Sequence, residues 1–218
     1  MAEKEPLTVT ALCALAGIFA RDESQLASPE LFGVTDGKAI GTWVERKLRA
    51  VLQDHYIFSE GNTAYGIDFP SLEVDMKVAN ITQPQSSCPF QAADQKIFGL
   101  GYGLLVFVYE KTDDPMSKRG RLNFLHIIYI DKLCTGDFQT TRGIRQIVEG
   151  RGNEEDLIAF MTDRNLPIDS IQAKKLAAKI LHSPPSQGYL TISNALQWRL
   201  QYGRAISEAG NVDGILRL

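Results

Sequence analysis

The sequence predicts an α/β protein, with a central mixed β-sheet flanked by helices and a helical C-terminal subdomain. Three observations lead there. Leu104-Leu-Val-Phe-Val-Tyr109 is an unbroken apolar run of strand length and Asn123 to Ile130 is a second, as expected of strands buried on both faces. Ala39 to Leu52 carries Ile40, Trp43, Val44, Leu48, Val51 and Leu52 at helical spacing. After about residue 135 the strand-like runs give way to successive helix-period segments.

Taken in order, Leu7 to Phe19 is apolar enough for a packed helix, and Leu31-Phe-Gly-Val-Thr-Asp-Gly is a turn into the Ala39–Leu52 helix. Tyr65 to Phe69 and Leu72 to Val78 read as a hairpin-like pair of strands around a tight turn at Phe69-Pro70-Ser71. Pro84-Gln-Ser-Ser-Cys-Pro is a loop, and Phe90 to Phe98 is a short helix. Gly99-Leu-Gly-Tyr-Gly103 connects that helix to the first buried strand, and Asp113-Asp-Pro-Met-Ser-Lys-Arg-Gly is a polar turn before the second. Helices are expected at Arg142–Glu149, Glu154–Arg164, Ser170–His182 and Ser193–Ile206, the last capped by Ser193-Asn194 with Leu196, Leu200 and Ile206 on its apolar face. The expected division is a core over 1–135 and a helical subdomain over 136–218.

Composition narrows the function classes. The 218 residues are 44% hydrophobic and 22% charged, ordinary for a soluble globular chain. The longest apolar stretch, Ile97 to Tyr109, contains three glycines and falls short of the ~20 residues that span a bilayer. Met1-Ala-Glu-Lys-Glu-Pro is charged in both signs, so no secretory leader and a cytoplasmic location are expected. Cys13, Cys88 and Cys134 are far apart and form no C-x-x-C pair, and His55, His126 and His182 are equally scattered. That pattern speaks against a disulfide framework or a zinc site. The nucleotide-binding glycine motifs are absent. Residues 1–114 carry 16 acidic and 9 basic side chains, whereas residues 115–218 carry 10 and 14. An acidic half beside a basic half suits a nucleic-acid enzyme.

The chemistry concentrates at Asp68 and Glu73-Val74-Asp75-Met76-Lys77. Alternate residues of a strand share a face, so Glu73, Asp75 and Lys77 are expected to project together, with Val74, Met76 and Val78 turned into the core. A turn after Asp68 would bring three carboxylates and one amine into a small space. Hard divalent cations favour such oxygen donors, and a nearby lysine can steady a water or a phosphate. An acid two residues before a lysine also occurs at Asp36/Lys38, Glu45/Lys47 and Asp94/Lys96, but only Asp75/Lys77 lies in a strand pattern with an aspartate upstream. On residue types alone, a solvated strand face in which Lys77 offsets two acids fits equally well.

The ordered set goes further. A helix bears Glu45 in Val-Thr-Asp-Gly-Lys-Ala-Ile-Gly-Thr-Trp-Val-Glu-Arg-Lys; then come Gly66-Ile-Asp-Phe-Pro, Leu72-Glu-Val-Asp-Met-Lys-Val, and Gln91-Ala-Ala-Asp-Gln95-Lys96 opening a helix before an apolar strand. This arrangement, over about Leu31 to Tyr109, resembles the PD-(D/E)XK nucleases and, within them, the type II restriction endonucleases. The short gap from Asp68 to Asp75 is similar to the branch containing the methyl-directed mismatch-repair nicking enzyme. Ile67 rather than Pro precedes Asp68, and the second acid is Asp rather than the commoner Glu.

The resemblance implies a sequence-specific, Mg²⁺-dependent endonuclease acting on double-stranded DNA as a homodimer. Asp68 and Asp75 would be metal ligands with the backbone carbonyl of Met76, Lys77 would position the attacking water, and Glu45 would be an outer metal ligand. Gln95 is a weaker analogue of a polar residue on the following helix, and Glu73 is an extra acid. A repair or nicking nuclease with the same site, and a DNA-binding module of this fold without activity, stay open beside it. In the C-terminal part Arg142, Arg145, Arg151, Lys174, Lys175, Lys179, Arg199 and Arg204 are candidates for phosphate contacts, and Gln83, Gln85, Ser86 and Ser87 for base contacts.

Overall fold

A computed structural model describes residues 4–59, 66–87, 92–193 and 199–218. Tyr65, Cys88, Phe90, Gln91, Asn194 and Leu196 lie outside the described residues. The chain has an α/β fold with a mixed sheet flanked by helices, and it divides into two compact units.

The first unit comprises residues 1–86, 104–130 and 209–218. It begins with β1 (Glu5–Pro6), which pairs in parallel with β2 (Tyr56–Ile57). Thr8 then caps α1 (Val9–Glu23), its hydroxyl accepting from the Ala11 N–H. Asp36 caps α2 (Gly37–His55), the helix foreseen from the Ile40–Leu52 stripe; Ile40, Trp43, Val44, Leu48 and Leu52 are all buried. The main sheet has the order β3 (Val74–Asn80), β5 (Gly103–Asp114), β6 (Arg119–Ile130), β9 (Ile215–Arg217). β5 and β6 form a long antiparallel hairpin, and β9 pairs antiparallel to β6. The buried segment of β5 supplies Leu105, Phe107 and Tyr109 to a core closed by α1 and α2, with Phe19, Phe107 and Phe124 in mutual ring contact.

Two expectations change here. Half of the polar segment 113–120 is strand, since Asp113 pairs with Gly120 and Asp114 with Arg119. The turn is confined to residues 115–118, where Lys118 adopts a left-handed φ of 50°. A hairpin can run on into solvent because its ladder needs only backbone partners. Residues 66–68 are not strand either: Gly66 is left-handed (φ 63°), and Phe69 alone forms an isolated bridge to Val74.

The second unit comprises residues 87–103 and 131–208. Between the two, β4 (Gln85–Ser87) leads out of the first unit. α3 (Ala93–Phe98), α4 (Phe138–Glu149), α5 (Glu154–Asp163) and α6 (Ser170–His182) bury Ile97, Ile144, Leu157, Met161, Leu176, Ala177 and Ile180 together. Asn153 and Asp169 close capping boxes on α5 and α6. Gly99, at φ 87°, turns the chain out of α3; a Cβ there would lie 2.8 Å from the Lys132 carbonyl and from the Thr135 hydroxyl.

The expected helix Ser193–Ile206 is absent as such. Thr191 pairs with Gln201 and Ile192 with Leu200, so β7 (Thr191–Ile192) and β8 (Arg199–Gln201) make a hairpin, and among the described residues of this span only those of α7 (Gly203–Glu208) are helical. Burial alternates along it: Leu190, Ile192, Leu200 and Tyr202 are buried while Thr191 and Gln201 are exposed. That is the period of a strand, and it overrides a helix read from Leu196, Leu200 and Ile206.

Candidate active site

The candidate site lies in the first unit, where α2, the turn at Pro70–Leu72 and β3 meet. The turn is closed from both sides: Phe69 N donates to the Val74 carbonyl at 2.9 Å, and Val74 N to the Phe69 carbonyl at 3.2 Å. Phe69 is fully buried and anchors the turn in the core. Asp68, one residue before that anchor, is thereby folded back onto β3, and its Oδ2 accepts the Met76 N–H at 2.9 Å. A local turn thus converts an eight-residue separation in sequence into direct contact.

Asp75 and Lys77 project to the same side of β3, as strand alternation requires, and Lys77 Nζ lies 2.5 Å from Asp75 Oδ2. This ion pair sets the ammonium against a carboxylate that is otherwise withdrawn from solvent. Only 2% of Asp75 is exposed. Burial pushes its carboxyl up to about 7; the Lys77 ammonium opposes the rise and the neighbouring Asp68 adds to it. Glu45, on the half-buried flank of α2, is raised by burial and by the Asp68 carboxylate, with Arg49 opposing.

Glu73 departs from expectation. It sits at φ 53°, ψ 45°, ending the turn in a left-handed conformation before the strand begins, and it is exposed. It therefore does not share the pleat of Asp75 and Lys77. Gln95 lies on α3 in the second unit.

Sequence reasoning passed over Arg49. Its guanidinium lies 2.7 Å from Glu45 and 3.4 Å from Asp68 Oδ1, is 3.3 Å from the Asp68 carbonyl, and stacks over the Phe69 ring at 5.8 Å. The i,i+4 spacing from Glu45 was the available signal. Several of the candidate DNA-contacting bases already have partners within the second unit. Arg145 reaches the Pro185 carbonyl and Glu149, Arg199 the Ser87 hydroxyl, Lys179 lies over Phe98, and Arg204 over Phe138. Arg142, Arg151, Lys174 and Lys175 are exposed.

The side-chain oxygens of Glu45, Asp68 and Asp75 are all hard donors, which is the donor chemistry of a divalent cation site. Among the described residues no three His, Cys, Asp or Glu side chains close around one point. Any ion there would rest on two carboxylates and a backbone carbonyl rather than on an all-side-chain cage.

A mixed sheet with α2 along its acid-bearing strand is compatible with the restriction-endonuclease-like class of α/β nucleases. The family model for the type II restriction enzyme NspV matches residues 6–217, and a type II restriction enzyme NspV from Nostoc sp. (strain ATCC 29411 / PCC 7524) is 60% identical over 210 residues, covering 96% of both chains. The chain belongs to this NspV family of type II restriction enzymes, which are sequence-specific DNA endonucleases that generally use a divalent metal ion. No solved structure matches it. Among the described residues no helix is long and apolar enough to cross a membrane.

Proposed function

We propose that this protein hydrolyses phosphodiester bonds of double-stranded DNA at a specific sequence, with Asp68, Asp75, Lys77 and Glu45 as its active site and Mg²⁺ as its cofactor. The observation that carries the assignment is the Phe69–Val74 bridge, which sets the Asp68 carboxylate on the Met76 N–H beside the Asp75–Lys77 pair. Asp68, Asp75 and the Met76 carbonyl would hold the ion, with Glu45 as an outer ligand. A bound Mg²⁺ supplies Lewis acidity toward a phosphate oxygen and toward water.

The protein's own groups do the rest. Lys77, paired with Asp75 and partly solvated, orients the attacking water and donates to the charge that grows on the phosphate oxygens. A bound ion would favour the ionised form of Asp75 that burial disfavours, as the Lys77 ammonium already does. Arg142, Arg151, Lys174 and Lys175 are the remaining exposed candidates for phosphate contacts, and the chain works as a homodimer on a palindromic target.

The test is incubation with a long, sequenced DNA in Mg²⁺ and in EDTA. Discrete fragments that disappear with EDTA are expected, with ends that define one sequence; intact DNA in Mg²⁺, or cleavage that survives EDTA, overturns the reading. Sedimentation should give twice the 24.2 kDa chain mass.

A further inference from the structure

The acidic cluster holds two internal cations, and they differ in kind. Lys77 faces Asp75 from the same strand. Arg49 comes from α2 and is fixed from several sides: Glu45 at 2.7 Å, Asp68 Oδ1 at 3.4 Å, the Asp68 carbonyl at 3.3 Å and the Phe69 ring beneath. Asp68 does not need Arg49 for its orientation, since its other oxygen is held by the Met76 N–H at 2.9 Å. What Arg49 contributes is charge, delivered by a planar guanidinium.

From this we infer that Arg49 is a resident counter-cation of the site: it occupies the electrostatic role of the divalent ion while the ion is absent, and so sets how tightly the ion binds. This rests on the assignment of Asp68 and Asp75 as metal ligands. Without Arg49, Glu45 and Asp68 would face one another with no positive charge between them, beside a buried Asp75 that already engages Lys77. With it, the metal-free cluster is held together but attracts a dication less strongly. Arg49 is thus a positioning and tuning residue rather than a catalytic one.

The experiment is a Mn²⁺ titration of the full protein without DNA, read by the electron paramagnetic resonance signal of free Mn²⁺, on wild type and on Arg49→Gln, Arg49→Lys and Asp75→Asn. Losing one unit of charge this close should tighten Mn²⁺ binding in Arg49→Gln by about tenfold, equivalent to about 1.4 kcal/mol. Arg49→Lys should stay near wild type. Thermal unfolding adds a second readout: in EDTA Arg49→Gln should melt below wild type, and Mn²⁺ should raise its Tm by more than it raises that of wild type. A purely structural role would lower the Tm without tightening Mn²⁺ binding. Asp75-dependent binding that Arg49→Gln leaves unchanged or weakens overturns the inference alone. Absence of any binding that Asp75→Asn removes overturns the site assignment and the inference together.

Discussion

Asp75→Asn separates what the site does from what it does to the fold. Asp75 is 2% exposed and its carboxyl is pushed from 3.8 up to about 7, mainly by burial. A folded-state value above the unfolded one means the native chain binds the proton more tightly. Stability is therefore fully present below the unfolded value and is lost as pH rises, until the folded chain also ionises near 7. A rise of about three pH units corresponds to an upper limit of about 4 kcal/mol. Lys77 offsets part of this in the wild type, and in the variant it can turn to solvent, its side chain being 23% exposed. Asn keeps the shape and removes the charge, so in EDTA at pH 8 the variant should be more stable by about 2–4 kcal/mol, or at least about 4 °C in Tm. The advantage should shrink as pH falls below about 7 and vanish near 4. The assay is urea and thermal unfolding of both proteins from pH 4 to 8.5, alongside DNA cleavage, which the variant should lose. A variant no more stable than wild type at pH 8 in EDTA would refute the burial argument.

Other perturbations bear on neighbouring parts of the structure. Lys77→Ala should abolish cleavage while leaving the circular dichroism spectrum and melting cooperativity intact, because Val74 and Met76, not Lys77, anchor β3 in the core. Asp137→Ala should destabilise the protein by about 2–4 kcal/mol, measured by urea unfolding. That buried carboxylate caps α4 through the Thr140 N–H at 2.9 Å, accepts the Thr140 hydroxyl at 2.6 Å, and accepts the Ile192 N–H of the β7–β8 hairpin at 2.9 Å.

Much of the architecture was legible from near neighbours. The α2 stripe, the apolar β5 and β6 runs and the capped helices α5 and α6 are set by side chains within one or two turns or one strand of each other. Local periodicity reports such elements directly. The alternation of Asp75 and Lys77 and the turn after Asp68 were readable on the same ground. What could not be read depends on partners remote in sequence. The β7–β8 hairpin is tied down by Asp137, 55 residues from Ile192, and a helix pattern there competes with that contact. Glu73 is the local exception: it ends the turn spanned by the Phe69–Val74 bridge in a left-handed conformation that strand alternation does not report. Arg49 gained its role because α2 packs along β3, placing a helix cation against an aspartate 19 residues away. The sequence by itself determined which reactive side chains recur at strand and helix spacing, since residue type and period are local properties. Only the tertiary structure decided which charges meet and which is buried, because burial and long-range pairing are set by packing between distant segments.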